Sequence, residues 1–191
     1  MRGVLEVLQA FRHPVGIATK GTLVERDVDI LADMARDGLA RVGISVTTLD
    51  AELSRKMEPR VPTPARRLRA IEVMAEAGVP VRMMISPIVP GLTDHDIEAL
   101  VAAGRDAGAQ GASMIPLRLP REVAQLWQDW LTDHYPNRAE RVMSKVRDMH
   151  GGKAYEAEFG HRMRGQGVWA DLLQQRFNRA VAAAGLTKTM P

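Results

Sequence analysis

The sequence contains no cysteine. That absence excludes disulfides, thiol nucleophiles and zinc–thiolate sites, and any iron–sulfur cluster for which this chain would supply thiolates. Long apolar runs are missing too: no segment approaches the roughly 18 apolar residues that a membrane helix needs, so no membrane partner is expected. No leading apolar stretch ends in a small-residue cleavage site, and the expected location is cytoplasmic. Histidine is sparse, with five residues (His13, His95, His134, His150 and His161). None has the spacing of a helical metal pair. Asp94-His95-Asp96 looks like a ligand cluster, but neighbours at a helix start point in different directions, so capping is the expected role. No metal ligand is assigned. His150 and His161 flank a Gly-rich loop, which offers either one a weak claim to substrate contact.

What remains is an ordinary globular composition: 191 residues, 46% hydrophobic and 26% charged. That length supports one domain with a sizeable core. The net charge of +3 is unevenly placed. Residues 1–117 carry 14 Lys and Arg against 15 Asp and Glu, a net of −1, and residues 118–191 carry 12 against 8, a net of +4. A basic tail can meet phosphates, so nucleic acid is one candidate partner. A solvated helical surface is the blander reading and the favoured one.

One pattern recurs along the chain. A helix ends in Gly, an apolar strand follows, and small or turn-forming residues come next. It runs through Gly38 and Leu39 to Val46, through Gly78 and Val79 to Ser86, and through Gly108 and Gly111 to Leu117. Glycine just past a helix end supplies the left-handed cap. The near-continuous apolar strands fit a parallel sheet buried on both faces. An earlier strand, Val15 to Lys20, follows a helix from Met1 to about Phe11. Thr22 with Glu25 is a candidate capping box. Thr63-Pro64 is a cap with a first-turn proline. Asp94 and Asp96 put negative charge at a helix start.

Alternating strands and helices imply right-handed parallel crossovers, hence an α/β fold. After residue 120 the pattern becomes helical only, over about 121–133, 137–149 and 168–184, with Trp127, Trp130, Trp169 and Phe177 as docking residues. About four strands are too few to close a barrel. The expected organisation is a partial parallel (β/α) barrel over 1–119 and an all-helical C-terminal extension over 120–191 packed on it. A preceding portion is expected, because the chain opens inside a helix with no strand to pack on. The open sheet edge predicts self-association.

In such folds the site lies at the C-terminal strand ends. These are Thr19-Lys20, Ser45 to Thr48, Ser86 to Gly91 and Pro116 to Arg118. A strand-end lysine either marks the exit to solvent or serves as an anion contact or amine nucleophile. The last role defines one alternative, a Schiff-base aldolase using Lys20. A non-enzymatic nucleic-acid-binding module is another.

The ordered series Ile17-Ala18-Thr19-Lys20, Val42-Gly43-Ile44-Ser45-Val46-Thr47-Thr48-Leu49-Asp50, Met57-Glu58-Pro59-Arg60, Thr63-Pro64-Ala65-Arg66-Arg67-Leu68 and Pro87-Ile88-Val89-Pro90-Gly91-Leu92-Thr93-Asp94 resembles the third to fifth strands of radical S-adenosylmethionine (SAM) enzymes. Within that superfamily it is similar to the spore photoproduct lyase-like, or DNA repair photolyase-like, branch. The tail segments Arg147 to Lys153 and Phe159 to Gly165 resemble that branch as well. The resemblance implies a barrel that binds SAM and a [4Fe–4S] cluster and reductively cleaves SAM to a 5′-deoxyadenosyl radical, in this branch for DNA photoproduct repair. It also implies that the cluster's Cys-x3-Cys-x2-Cys motif follows a first strand that does not occur here. This chain alone would then be inactive, with part of the SAM site. By position, Lys20 matches the lysine that meets the SAM carboxylate. Ser45 matches the serine that holds the amino-acid end, and Ile88 an apolar residue near the adenine. Glu58, Arg60 and Arg67 belong to a recurring segment without an assigned role, and an ion-pair network that orders the loop is the expected one.

Overall fold

The computed structural model describes residues 1–155 and 163–188. Phe159, Gly160, His161 and Arg162 therefore lie outside the described residues. Helix α1 (Arg2–Ala10) leads into strand β1 (Val15–Thr19), and a 3-10 turn (Leu23–Asp27) leads into α2 (Val28–Arg36). Then come β2 (Ala40–Ser45), α3 (Ala51–Met57), α4 (Pro64–Glu76), β3 (Val81–Ile88), α5 (Ile97–Asp106) and β4 (Gly111–Pro116). Helices α6 (Val123–His134), α7 (Pro136–Asp148) and α8 (Gly167–Ala183) complete the order. The four strands form one parallel sheet in the order β1-β2-β3-β4, and among the described residues it does not close. The α/β reading and the partial barrel are thus what the molecule has. No helix among the described residues is long and apolar enough to cross a membrane.

Local chemistry sets the element ends. Gly38, Gly78 and Gly108 follow α2, α4 and α5 with φ of 70°, 79° and 89°, backbone that a Cβ resists. The Thr63 side chain accepts from the Arg66 N–H at 3.3 Å, and Pro64 occupies the first turn of α4. The Thr22 capping box does not form. Leu23–Asp27 is a 3-10 turn that the Thr22 side chain does not cap, and Glu25 instead binds Arg66 across the surface at 2.6 Å. Helix α3 was not anticipated. Asp50 caps it by accepting from the Glu52 and Leu53 N–H groups at 2.8 and 3.1 Å.

The two faces of the sheet differ. Val42, Ile44, Val81, Met83 and Ile85 are fully buried on the face that packs against α2, α4 and α5. That core continues into α8 through Leu173, Phe177 and Val181. The opposite face carries Gly16, Ala18, Arg41, Gly43, Arg82 and Met84. Gly16, Ala18 and Arg41 are exposed there. A second apolar cluster, with Leu53, Val89, Leu92, Leu119, Leu131 and Val142, ties α6 and α7 over the C-terminal strand ends. Trp127 and Trp130 stack at 4.8 Å beside it, and Trp130 Nε1 donates to the Lys56 carbonyl at 3.1 Å.

Candidate functional site

Every parallel strand points its C-terminal end the same way, so the residues that leave β1, β2, β3 and β4 meet at one end of the sheet. Thr19 is in register with Ile44 and Ser45 with Met84, which sets Lys20 beside Ser45. A cleft of about 450 Å³ opens at this end, with Lys20, Ser86, Arg118 and Tyr155 among mostly apolar walls that include Pro87, Leu117 and Val123. A larger hollow of about 560 Å³ lies at the opposite end, around Pro14, Gly38, Arg41 and Pro80. Its lining offers one cation and no converging polar groups, so the C-terminal cleft is the better candidate.

Lys20 does not stand alone. Its ammonium donates to Glu58 Oε1 and, at 3.2 Å, to the Ser86 carbonyl. Glu58 Oε2 in turn accepts from Thr47 Oγ1 at 3.1 Å and lies 2.9 Å from Arg67 Nη1. Arg67 has no exposed side-chain surface, and it also donates to the Ser45 carbonyl at 3.0 Å and to Ser54 Oγ at 2.9 Å. Burial pushes the Glu58 carboxyl upward. The Lys20 hydrogen bond and the charges of Lys20 and Arg67 outweigh it and hold the group below its ordinary value. The expected ion-pair network is present for Glu58 and Arg67. Lys20 is its second cation, and Arg60 is exposed outside it.

The three residues matched by position are not equally placed. Lys20 lines the cleft. Ser45 is 5% exposed, and its carbonyl anchors Arg67. Ile88 is fully buried in the main core, so its side chain does not line the cleft. Its carbonyl accepts from the Leu117 N–H at 2.9 Å. His150 is 1% exposed, bonded through Nε2 to the Leu117 carbonyl at 3.0 Å. It supports the β4 exit from behind. His95 contacts Asp96 at 3.3 Å, and no group of three or more metal-capable side chains occurs among the described residues. Arg118 lies in a strand-end segment expected to hold the site but without an assigned role, and Tyr155 was not anticipated there. The strand-end position of Arg118 was the available signal, whereas Tyr155 reaches the cleft through tertiary folding alone.

These features define an α/β protein with a ligand cleft at the C-terminal ends of a parallel sheet and a fixed ammonium in it. The sequence profile of the Radical SAM superfamily matches residues 3–103, more than half of the chain. The chain belongs to the radical SAM superfamily. It is 33% identical over 152 residues to an uncharacterized protein of Mycobacterium tuberculosis, covering 78% of this chain and 44% of that protein. It is 26% identical over 136 residues to an uncharacterized protein of Methanocaldococcus jannaschii, covering 71% and 49%. A 74-residue stretch is 32% identical to an uncharacterized protein of Acidianus two-tailed virus, covering 39% and 24%. The chain thus spans less than half the length of the curated relatives it matches.

The superfamily implies SAM and a [4Fe–4S] cluster. The residues present do not fit the cluster, because its thiolate ligands need cysteine and the chain has none. They do fit the amino-acid end of SAM. A part-exposed ammonium, held by a carboxylate and a carbonyl, faces a cleft with room for a ligand.

Proposed function

We propose that this chain supplies the part of a radical SAM enzyme that grips the amino-acid end of SAM, with the Lys20 ammonium on its carboxylate and Ser45 beside it. The observation that supports this is the Lys20 ammonium in the wall of the cleft, oriented by Glu58 and the Ser86 carbonyl; Ser45 leaves β2 at the same end of the sheet, behind the cleft wall. A charge-assisted N–H···O bond from an ammonium fixed at a strand end is a strong, directional carboxylate contact. A [4Fe–4S] cluster would supply the electron for SAM cleavage in the superfamily, and this chain has no cysteine with which to hold one. By itself this chain forms no deoxyadenosine in this proposal. Assignment to the spore photoproduct lyase-like branch, and with it a DNA photoproduct substrate, belongs to the proposal and rests on the order of the motifs. Ile88 contributes through its backbone and its packing, given its complete burial.

The alternatives fare less well. A Schiff-base lysine attacks as a free amine, usually desolvated or next to another cation. The Lys20 partner is a carboxylate, the setting of an ammonium ion pair. Several cations of the basic tail already have partners within the chain. Arg147 pairs with Glu140, Arg176 pairs with Glu98, and the Lys145 ammonium sits 3.8 Å from the centre of the Trp169 ring.

The test is calorimetric titration of the full 191-residue chain with S-adenosylhomocysteine and with 5′-methylthioadenosine. Both are adenosine thioethers, and only the first carries the amino acid. The wild type should prefer the first by about tenfold, the worth of one charge-assisted contact, and Lys20→Met should erase that preference. An unchanged preference in Lys20→Met would overturn the assignment.

A further inference from the structure

Lys20 has three N–H donors, and two of them have acceptors among the described residues. One goes to Glu58 Oε1 and one to the Ser86 carbonyl. The side chain is still 36% exposed and lines the cleft. The carboxylate that holds it is fixed from behind: Glu58 Oε2 is bound by Thr47 Oγ1 and by Arg67. Arg67 is buried, and it is pinned by the Ser45 carbonyl and Ser54 Oγ. The chain of contacts therefore runs from the β2 exit through α4 and Glu58 to the β1 exit. Every link in it is a hydrogen bond or an ion pair.

A lysine on four methylenes pays in rotamer entropy when a ligand fixes it. An ammonium already oriented by two acceptors has lost that freedom before the ligand arrives, so less affinity is spent on ordering. We infer that Glu58, backed by Arg67, is a positioning residue: it holds two-thirds of the Lys20 donor set in place with Ser86 and leaves the third N–H for a carboxylate-bearing ligand in the cleft. Glu58 itself touches no ligand. This inference rests on the proposed role of Lys20. It assigns work to a segment that the sequence resemblance left without any.

The same titration separates the two. Glu58→Gln should weaken S-adenosylhomocysteine binding about tenfold and leave 5′-methylthioadenosine binding within about twofold, because only the amino-acid end loses its aligned partner. Glu58→Gln leaves Arg67 buried without a counter-charge, which can unfold the chain. The double variant Glu58→Gln/Arg67→Met removes both charges together and should give the same selective loss. Preserved preference in a folded Glu58 variant, with Lys20→Met still erasing it, would overturn the positioning role and leave the Lys20 assignment standing. No preference in the wild type would overturn both. Equal loss for both ligands in the folded variants would mean that Glu58 merely shapes the cleft, which also defeats the inference.

Discussion

Glu58 is a carboxylate at 10% side-chain exposure between two cations, and its acid behaviour follows from that position. Burial works against the charged form, and the Lys20 and Arg67 contacts more than compensate, so its folded value is depressed. A depressed carboxylate contributes stability that is fully present above its unfolded value, about 4.3. That stability is lost as pH falls through the folded value. Urea denaturation of the full chain should therefore show stability declining below about pH 4.5. Glu58→Gln/Arg67→Met should decline less steeply over the same range, since the titrating group is gone. Parallel acid limbs in the two proteins would show that Glu58 does not carry the effect. Asp29 is held at about 2 by its hydrogen bond to Arg2. It is mostly exposed, and solvent screening leaves it a minor part of the acid limb.

At the scale of elements, the packing of α5 on β3 depends on one glycine. A Cβ on Gly104 would sit 3.2 Å from Met83 Cβ and 3.3 Å from Met83 Cγ, and closer still to the sulfur. Met83 is fully buried, and its Cβ, fixed by the strand backbone, cannot swing away. Gly104→Ala gains helix propensity, worth up to about 1 kcal/mol, but overpacking a close helix–strand contact costs about 1–3 kcal/mol. The expected net result is a lower thermal midpoint, read by circular dichroism, and an unchanged or higher midpoint would contradict it. In a double-mutant cycle, Gly104→Ala should cost less in a Met83→Ala background than in the wild type, because the truncated side chain makes room. Gly104 shows where legibility ended. Gly38, Gly78 and Gly108 were readable because each closes a helix before an apolar run, a local pattern. Gly104 is required by the side chain of a strand about twenty residues earlier, which no local pattern reveals. Lys20 and Ser45 were likewise legible as strand-end residues in a matching series. The Lys20–Glu58 pair spans 38 positions and forms only because the crossover after β2 folds back over the β1 exit. Helix α3 was hidden for a different reason. Its seven residues are too few to establish a period, and the local signals were limited to the Asp50 cap and the placement of Glu52, Arg55 and Lys56 at its ends.

For the whole molecule, the sheet has two unlike edges. Beside β4 the C-terminal stretch returns: Thr187 bridges Gly111, and the Ala112 N–H donates to the Thr187 carbonyl at 3.0 Å. Beside β1 nothing is paired among the described residues. That edge is Val15-Gly16-Ile17-Ala18-Thr19, five uncharged residues, and Gly16 and Ala18 are exposed on the uncovered face. An uncharged, unpaired edge strand with no proline or inward charge is a template for another strand. The full chain made alone should therefore associate as its concentration rises through the micromolar range. Sedimentation velocity over a concentration series is the measurement. Ala18→Lys places a charge on the open face, where it meets no core, and charged edge positions oppose strand addition. It should shift the distribution toward monomer and leave the thermal midpoint nearly unchanged, because no buried contact is lost. A wild-type chain that sediments as one monomeric species at every concentration would mean that the β1 edge is protected by something other than strand pairing. A variant that associates as strongly as the wild type would move the contact away from β1.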